Sequence, residues 1–370
     1  MAAITFLARY IRSRGDNLTP NRFKLHDDST LVKGLVSIMM PVMNGDAFLE
    51  GALDCLLAQD YPDFEVIILD NLSTDRTPEI CRQYESKDQR IRYIRDSEDR
   101  ITHDAANHLA TFVRGEFAAY ACDDDLHDPT FLRSMVDTLR EDPSLGLAYC
   151  NGAYVDVEGE KGKRSLLGAK SKMGRGDGAL WNVWRYMRQR KVVPTLFGVY
   201  RTSALRSCLP FETFDETIAD VDNLFMIQLL CRYPVQCVDK QLFWFRNKFR
   251  AVEPTFLKGM SANPTAFERW LYQARHQRTF LKMQFSAIAA SPFAAPTRAI
   301  LMLRAIYTYL FFIFVAPIRA WVGRALQRMN LREGITSKPD KHHEKRVAAH
   351  RSIGFRVHDN ESAKVRDDNV

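Results

Sequence analysis

The 370-residue sequence contains no CxxC pair, and its seven cysteines, Cys55, Cys81, Cys122, Cys150, Cys208, Cys231 and Cys237, show no metal-ligand spacing. That absence excludes a disulfide scaffold or a zinc ribbon, and predicts the reduced thiols of a cytosolic chain. Also missing is a basic segment ahead of a long apolar core at the N-terminus. MAAITFLARYIRSRGD is too short for a signal peptide, so the catalytic part is expected to stay in the cytoplasm. The apolar stretch 299–318, AILMLRAIYTYLFFIFVAPI, has an uninterrupted part (305–318) short of the ~20 residues that span a bilayer squarely. No internal repeat and no nucleic-acid-binding signature is present, which argues against a nucleic-acid partner.

What is present is ordinary globular composition, with 46% hydrophobic and 26% charged residues, enough to exclude wholesale disorder. The formal charge of +7 suits an anionic partner. Its excess gathers after residue 298, at Arg298, Arg304, Arg319, Arg324, Arg328 and Arg332 around the apolar stretch. This placement fits peripheral contact with the inner face of a cell membrane better than a duplex. A buried C-terminal helix and an interfacial helix are both compatible with the pattern.

From Leu35 onward, short apolar runs alternate with helical periods, the mark of βαβ units in an open, mostly parallel twisted α/β sheet with helices on both faces. Strands are expected at 35–41, 65–70, 90–95, 117–122 and 145–151. Helices are expected at 46–59, from Asp75 or Thr77 onward, at 104–113, and from Asp128–Pro129 onward. The Gly/Lys-rich stretch 159–178 reads as a long polar loop of the kind that forms mobile lids. The chain divides into an N-terminal extension (1–34), a sheet domain (35–250), a C-terminal helical region (251–335) and a charged, disordered tail (336–370).

In such sheets ligands settle beyond the carboxyl ends of the strands. The sequence puts Asp70 at one such end and Asp123, Asp124 and Asp125 at another. Three adjacent acids repel unless a cation offsets them. A hard ion, Mg²⁺ or Mn²⁺, takes one or two carboxylates and completes its shell with substrate phosphates, which implies a diphosphate donor. Asp70 alone also suits a turn, and Asp128 suits a helix cap.

Residues 36–77, VSIMMPVMNGDAFLEGALDCLLAQDYPDFEVIILDNLSTDRT, resemble the opening of family 2 inverting glycosyltransferases with the GT-A fold. That family's pattern runs strand-P-x-x-N, helix, A-Q-x-Y-P, strand, then D-[DN]-x-S-x-D-x-T. The resemblance continues through Ala106–Asn107, Gly115–Glu116, the acidic cluster and Pro129, more weakly through FDETIADVDNLF (214–225), and covers roughly 35–250. It implies transfer of a sugar from a nucleotide-diphosphate sugar to a hydroxyl of a glycan or lipid-linked glycan. Pro41, Val42 and Asn44 would line the nucleotide pocket. Asp70 would hydrogen-bond the base, with Asn71, Ser73 and Asp75 shaping the loop behind it. Asn107 and Asp123 would face the donor, Asp123 toward the ribose or metal. Asp124 or Asp125 would bind the metal, Asp124 being the first choice.

A later acid serves the family as general base. Here ADVD (219–222) offers Asp220, with Asp222 second. Asn71 for a frequent Asp, Ala219 for a usual Glu, and the missing glycine before Ala106 depart from the pattern, so a catalytically silent nucleotide-sugar or glycolipid scaffold is the alternative. A nucleotidyltransferase would need a Gly-rich, Lys/Arg-bearing loop after the first strand, which PVMNGDAF does not supply. His103 reads as a loop residue that could touch the donor, His108 as a helix-surface residue, Cys122 as a small buried hydrophobe, and Trp181, Trp184 and Tyr186 as core or sugar-stacking aromatics. Arg185, Arg188, Arg190 and Lys191 form an exposed basic face that could meet a lipid diphosphate.

Overall fold

The computed structural model describes residues 28–98, 100, 102–168, 171–189, 194–210, 221–246 and 265–315. Asp220, residues 1–27 of the N-terminal extension, Arg190, Lys191 and the 336–370 tail lie outside them, as does the side chain of His103. The described residues up to Phe314 belong to one compact unit.

Nine strands form one sheet: β1 (Val32–Val42), β2 (Phe64–Asp70), β3 (Ile91–Arg95), β4 (Gly115–Tyr120), β5 (Leu126–His127), β6 (Leu147–Val155), β7 (Lys161–Ser165), β8 (Val199–Arg201) and β9 (Val235–Arg246). Their order is β3-β2-β1-β4-β8-β6-β9-β5, with β7 added on β6. The first four strands are parallel, as βαβ alternation requires. Beyond β4 the sheet is mixed. β8 runs antiparallel to both β4 and β6, while β9 is parallel to β6.

Helices α1 (Leu49–Leu57), α2 (Thr77–Lys87), α3 (Thr102–Ala110) and α4 (Phe131–Glu141) connect the early strands, each within a few residues of its expected span. α5 (Ala179–Gln189), α6 (Thr202–Arg206), α7 (Val221–Arg232), α8 (Ala266–Ala289) and α9 (Ala295–Leu310) follow, and α9 continues into a π-turn at Phe311–Val315. The continuous apolar runs of β1 and β2 are explained by burial on two faces. Ile38, Met40, Val66 and Ile68 face a core built with α1, α2 and α4. Their neighbours Met39, Ile67 and Leu69 face the opposite core, shared with α3, α5, α7, α8 and α9.

The polar stretch 159–178 is more ordered than a lid. β7 pairs antiparallel with β6, and Leu167 and Met173 are buried. Tyr149 Oη accepts the Met173 N–H at 2.6 Å, and Asp177 pairs with Arg185 at 2.8 Å. Composition alone concealed this, because a strand laid on an existing edge needs only main-chain bonds and a few apolar anchors.

Candidate active site

β1 is flanked by β2 on one side and β4 on the other, so the chain order reverses beside it, the place where open α/β sheets take their ligands. In register, Pro41 stands beside Leu69 and Val42 beside Asp70. Beyond β1 the chain turns at Asn44, whose φ is 53°, a left-handed conformation that Asn tolerates better than most residues.

Asp70 anchors this end of the sheet. Its side chain is fully buried, Oδ1 accepts the Ser73 N–H at 2.8 Å, and Oδ2 accepts Tyr93 Oη at 2.7 Å and Arg95 Nη1 at 2.9 Å. Ser73 Oγ in turn accepts the Asn44 N–H at 2.9 Å, and Asn44 Oδ1 accepts the Thr74 N–H at 2.8 Å. Asp75 closes the loop, with Oδ1 accepting from Thr77 and Oδ2 from Asp46. These bonds hold Leu72 at a φ of 58°, a strain that persists only where surroundings over-determine it. In this arrangement both Asp70 oxygens are enclosed, and the exposed group beside them is the Arg95 guanidinium. Asn71 is likewise engaged, donating to the Arg100 carbonyl at 2.7 Å and accepting the Arg100 N–H at 2.8 Å.

The acidic loop meets this network directly. A Cβ on Gly45 would lie 2.2 Å from Asp123 Oδ2, so only glycine lets the carboxylate rest against the β1 turn. Gly45 is also tied to α2 by its N–H to Thr77 Oγ1 at 2.9 Å. A continuous chain therefore runs Asp70–Ser73–Asn44–Gly45–Asp123, and the two distant acidic strand tips converge.

Behind Asp123, the loop is set by β9. The Arg246 N–H donates to Asp125 Oδ1 at 2.8 Å, and Arg246 Nε donates to the Asp124 carbonyl at 2.8 Å. The guanidinium also reaches the Asp156 and Val157 carbonyls and lies 4.5 Å from the Phe48 ring centroid. Asp124 is half-buried and Asp125 buried. Asp125 Oδ2 is enclosed without a hydrogen-bond partner among the described residues. Burial first, then the charge of Asp124, pushes its carboxyl up to about 8. The Cys122 sulfur and carboxylate oxygens of Asp124 and Asp125 all lie within 4.8 Å of one another. Burial and the three neighbouring carboxylates raise the Cys122 thiol well above its usual range, and the residue is half-buried rather than buried. An enclosed, unpartnered carboxylate oxygen next to a second carboxylate is a donor set that fits a small divalent cation.

Of the remaining expected site residues, Asn107 is buried on α3. Asp222 is exposed in the first turn of α7, where its charge is felt by the Tyr120 hydroxyl at the end of β4. His108 does more than line a helix surface, since its Nδ1 lies 3.4 Å from Asp96. Tyr186 is core, bonded to Asn223 at 3.1 Å, whereas Trp181 is 61% exposed. Sequence reasoning missed Gly45, Tyr93, Arg95 and Arg246. A lone arginine ending the apolar run QLFWFR was the one available signal for Arg246.

Residues 37–214 match the model of Glycosyl transferase family 2. Among curated proteins, the chain is 25% identical over 169 residues to the uncharacterized glycosyltransferase EpsJ of Bacillus subtilis, covering 43% of this chain and 48% of that protein. It is 30% identical over 186 residues to chondroitin synthase of Escherichia coli, covering 50% and 25%. It is 31% identical over 109 residues to the putative teichuronic acid biosynthesis glycosyltransferase TuaG of B. subtilis, covering 30% and 43%. The chain thus spans about half or less of the length of these relatives. Among solved structures, S. aureus TarS 1–349 in complex with UDP superposes with a TM-score of 0.56 at 17% identity, covering 76% of this chain and 72% of that one. The same TarS segment in complex with UDP-GlcNAc gives 0.56 at 17%, covering 75% and 73%. At that identity the likeness speaks for the fold. Motif order, fold and relatives agree: residues 37–214 match Glycosyl transferase family 2, and the chain has a GT-A-like fold.

Proposed function

We propose that the protein moves a sugar, with inversion, from a nucleotide-diphosphate sugar onto a hydroxyl of a glycan or lipid-linked glycan. The observation that carries this reading is the meeting of the Asp123 carboxylate with the Gly45 turn, which supports a donor site shared by the β1 turn and the acidic loop. UDP and UDP-GlcNAc in complexes of TarS, which shares the fold, support a uridine-type donor.

In this reading Pro41, Val42 and Asn44 line the pocket, and the exposed side chains of Met43 and Leu72 offer an apolar shelf for the base. Asp70, Asn71 and Ser73 hold that rim in shape, Asn107 supports it from α3, and Arg95 presents the exposed cation. Asp123 faces the ribose. Asp124, with Asp125 beside it, would hold Mg²⁺ or Mn²⁺, which when bound offsets charge on the departing diphosphate. Asp220 or Asp222 accepts the proton of the acceptor hydroxyl as it attacks the anomeric carbon in line and the nucleoside diphosphate leaves.

The test is Asp124→Asn, a near-isosteric change at a half-exposed position. Donor turnover, followed as nucleoside diphosphate release with Mn²⁺, should fall by a factor of about 100 or more. The Tm without ligand should stay within a few degrees, and the Tm rise given by UDP plus Mn²⁺ should vanish. Wild-type turnover in this variant would overturn the reading.

A further inference from the structure

α9 is amphipathic with its apolar side outward. Leu301, Ala305, Thr308 and Ile313 are buried where the helix packs on α8 and α5. On the opposite face Ile300, Leu303, Ile306, Tyr307, Leu310 and Phe314 are exposed, by 46, 66, 36, 59, 45 and 56%. At 100° per residue these six positions fall within about a third of the helix circumference, and none is charged. Within the 21-residue segment Ala295–Val315, an 18-residue window reaches a mean hydropathy of 1.7, yet a helix packed on protein along one side cannot be ringed by lipid. It can lie along a bilayer surface.

Charge identifies what covers the stripe. From residue 269 to residue 315 the sequence contains no Asp and no Glu, while Lys and Arg stand at 269, 275, 278, 282, 298 and 304. Two copies joined through this face would bring like charges together, whereas an anionic surface would be attracted. Beside the stripe, the Arg304 guanidinium lies 5.1 Å from the Trp184 ring centroid and 5.2 Å from that of Tyr307. Arg304 Nε has no hydrogen-bond partner among the described residues. Arg188 is exposed on α5, close enough to Arg304 for repulsion, and Trp181 on the same helix is largely exposed. Indole rings and guanidinium groups at the edge of an apolar strip suit the boundary between headgroups and acyl chains.

We propose that the outer face of α9, with Arg304, Arg188, Trp181 and Trp184 at its border, is a docking surface for an anionic lipid bilayer. Leu303, Tyr307, Leu310 and Phe314 enter the headgroup–acyl boundary while the arginines meet lipid phosphates. This surface is separate from the transfer site, so it is tested without donor or metal.

The full chain is sedimented with phosphatidylcholine vesicles and with vesicles also containing phosphatidylglycerol, at low and raised salt. The wild type should bind the anionic vesicles, less so at raised salt. Leu303→Asp combined with Leu310→Asp should lower binding by at least about tenfold while keeping the wild-type Tm and donor turnover in solution. Brominated lipids should quench tryptophan emission of the wild type, a readout needing no variant, and should not quench that of the double variant. The proposal is overturned if the wild type ignores anionic vesicles or shows no quenching, or if the folded variant binds them equally. A dimer that the variant dissociates, without vesicle binding, would show a second copy on this face. A Tm several degrees lower with unchanged vesicle binding would show that the chain covers the face itself. Either result would also overturn it.

Discussion

Tyr93 lies on β3, and its hydroxyl donates to Asp70, the post on which the nucleotide-side loop hangs. Burial, then this bond, pushes the phenol up to about 12. In the unfolded chain it titrates near 10. Below about pH 10 both states keep the proton and the bond contributes in full. Between about 10 and 12 the unfolded chain loses its proton first, so stability falls as pH rises through that window. Tyr93→Phe should cost about 1–2 kcal/mol at neutral pH, read from urea midpoints, and should flatten the decline in stability above pH 10. An absorbance titration should show one fewer late-ionising tyrosine. A variant as stable as wild type, with the same alkaline profile, would mean that Ser73 and Arg95 alone fix Asp70. Asp125 shows a different arrangement: Oδ1 accepts the Arg246 N–H while Oδ2 is enclosed without a partner among the described residues.

Between elements, the key join is made by β9. β5 pairs with it through Leu126–Trp244 and His127–Phe243, which places Arg246 against the loop that precedes β5. Through one side chain it gathers the acidic loop, the β6–β7 turn and Phe48. Arg246→Ala strands these carbonyls in a buried setting and should cost about 2–4 kcal/mol, while weakening the UDP-plus-Mn²⁺ Tm shift. Arg246→Lys should recover less than half, because an ammonium cannot fork between several carbonyls. Calorimetry of the three proteins decides it, and full recovery by lysine would reduce the role to charge alone. This join was not legible in the chain, where more than a hundred residues separate Asp124 from Arg246. The helices were legible because their apolar spacing is local. The 159–178 stretch misled for the same reason, since its order comes from the edge it joins and not from its own pattern.

Across the whole molecule, one helix carries two opposite surfaces. Leu301 is fully buried and Leu303, two residues on, is 66% exposed. Leu301→Ala should therefore cost about 2–4 kcal/mol, while Leu303→Ala should fall within about 0.5 kcal/mol. Equal costs in a denaturant titration would contradict the packing of α9 on α8 and α5. The sequence by itself determined the parallel half of the sheet, the helices between its strands, and which strand tips carry acids, because period and turn chemistry act over a few residues. It also showed an apolar, basic stretch near 299–318 without saying which side faces out. Tertiary structure alone decided that Asp123 rests on Gly45, that Asp70 is buried, that Arg246 sets the acidic loop, and that, among the described residues, the stripe on α9 is exposed. Each of these depends on strand order and on contacts between residues far apart in the chain, which no local pattern encodes.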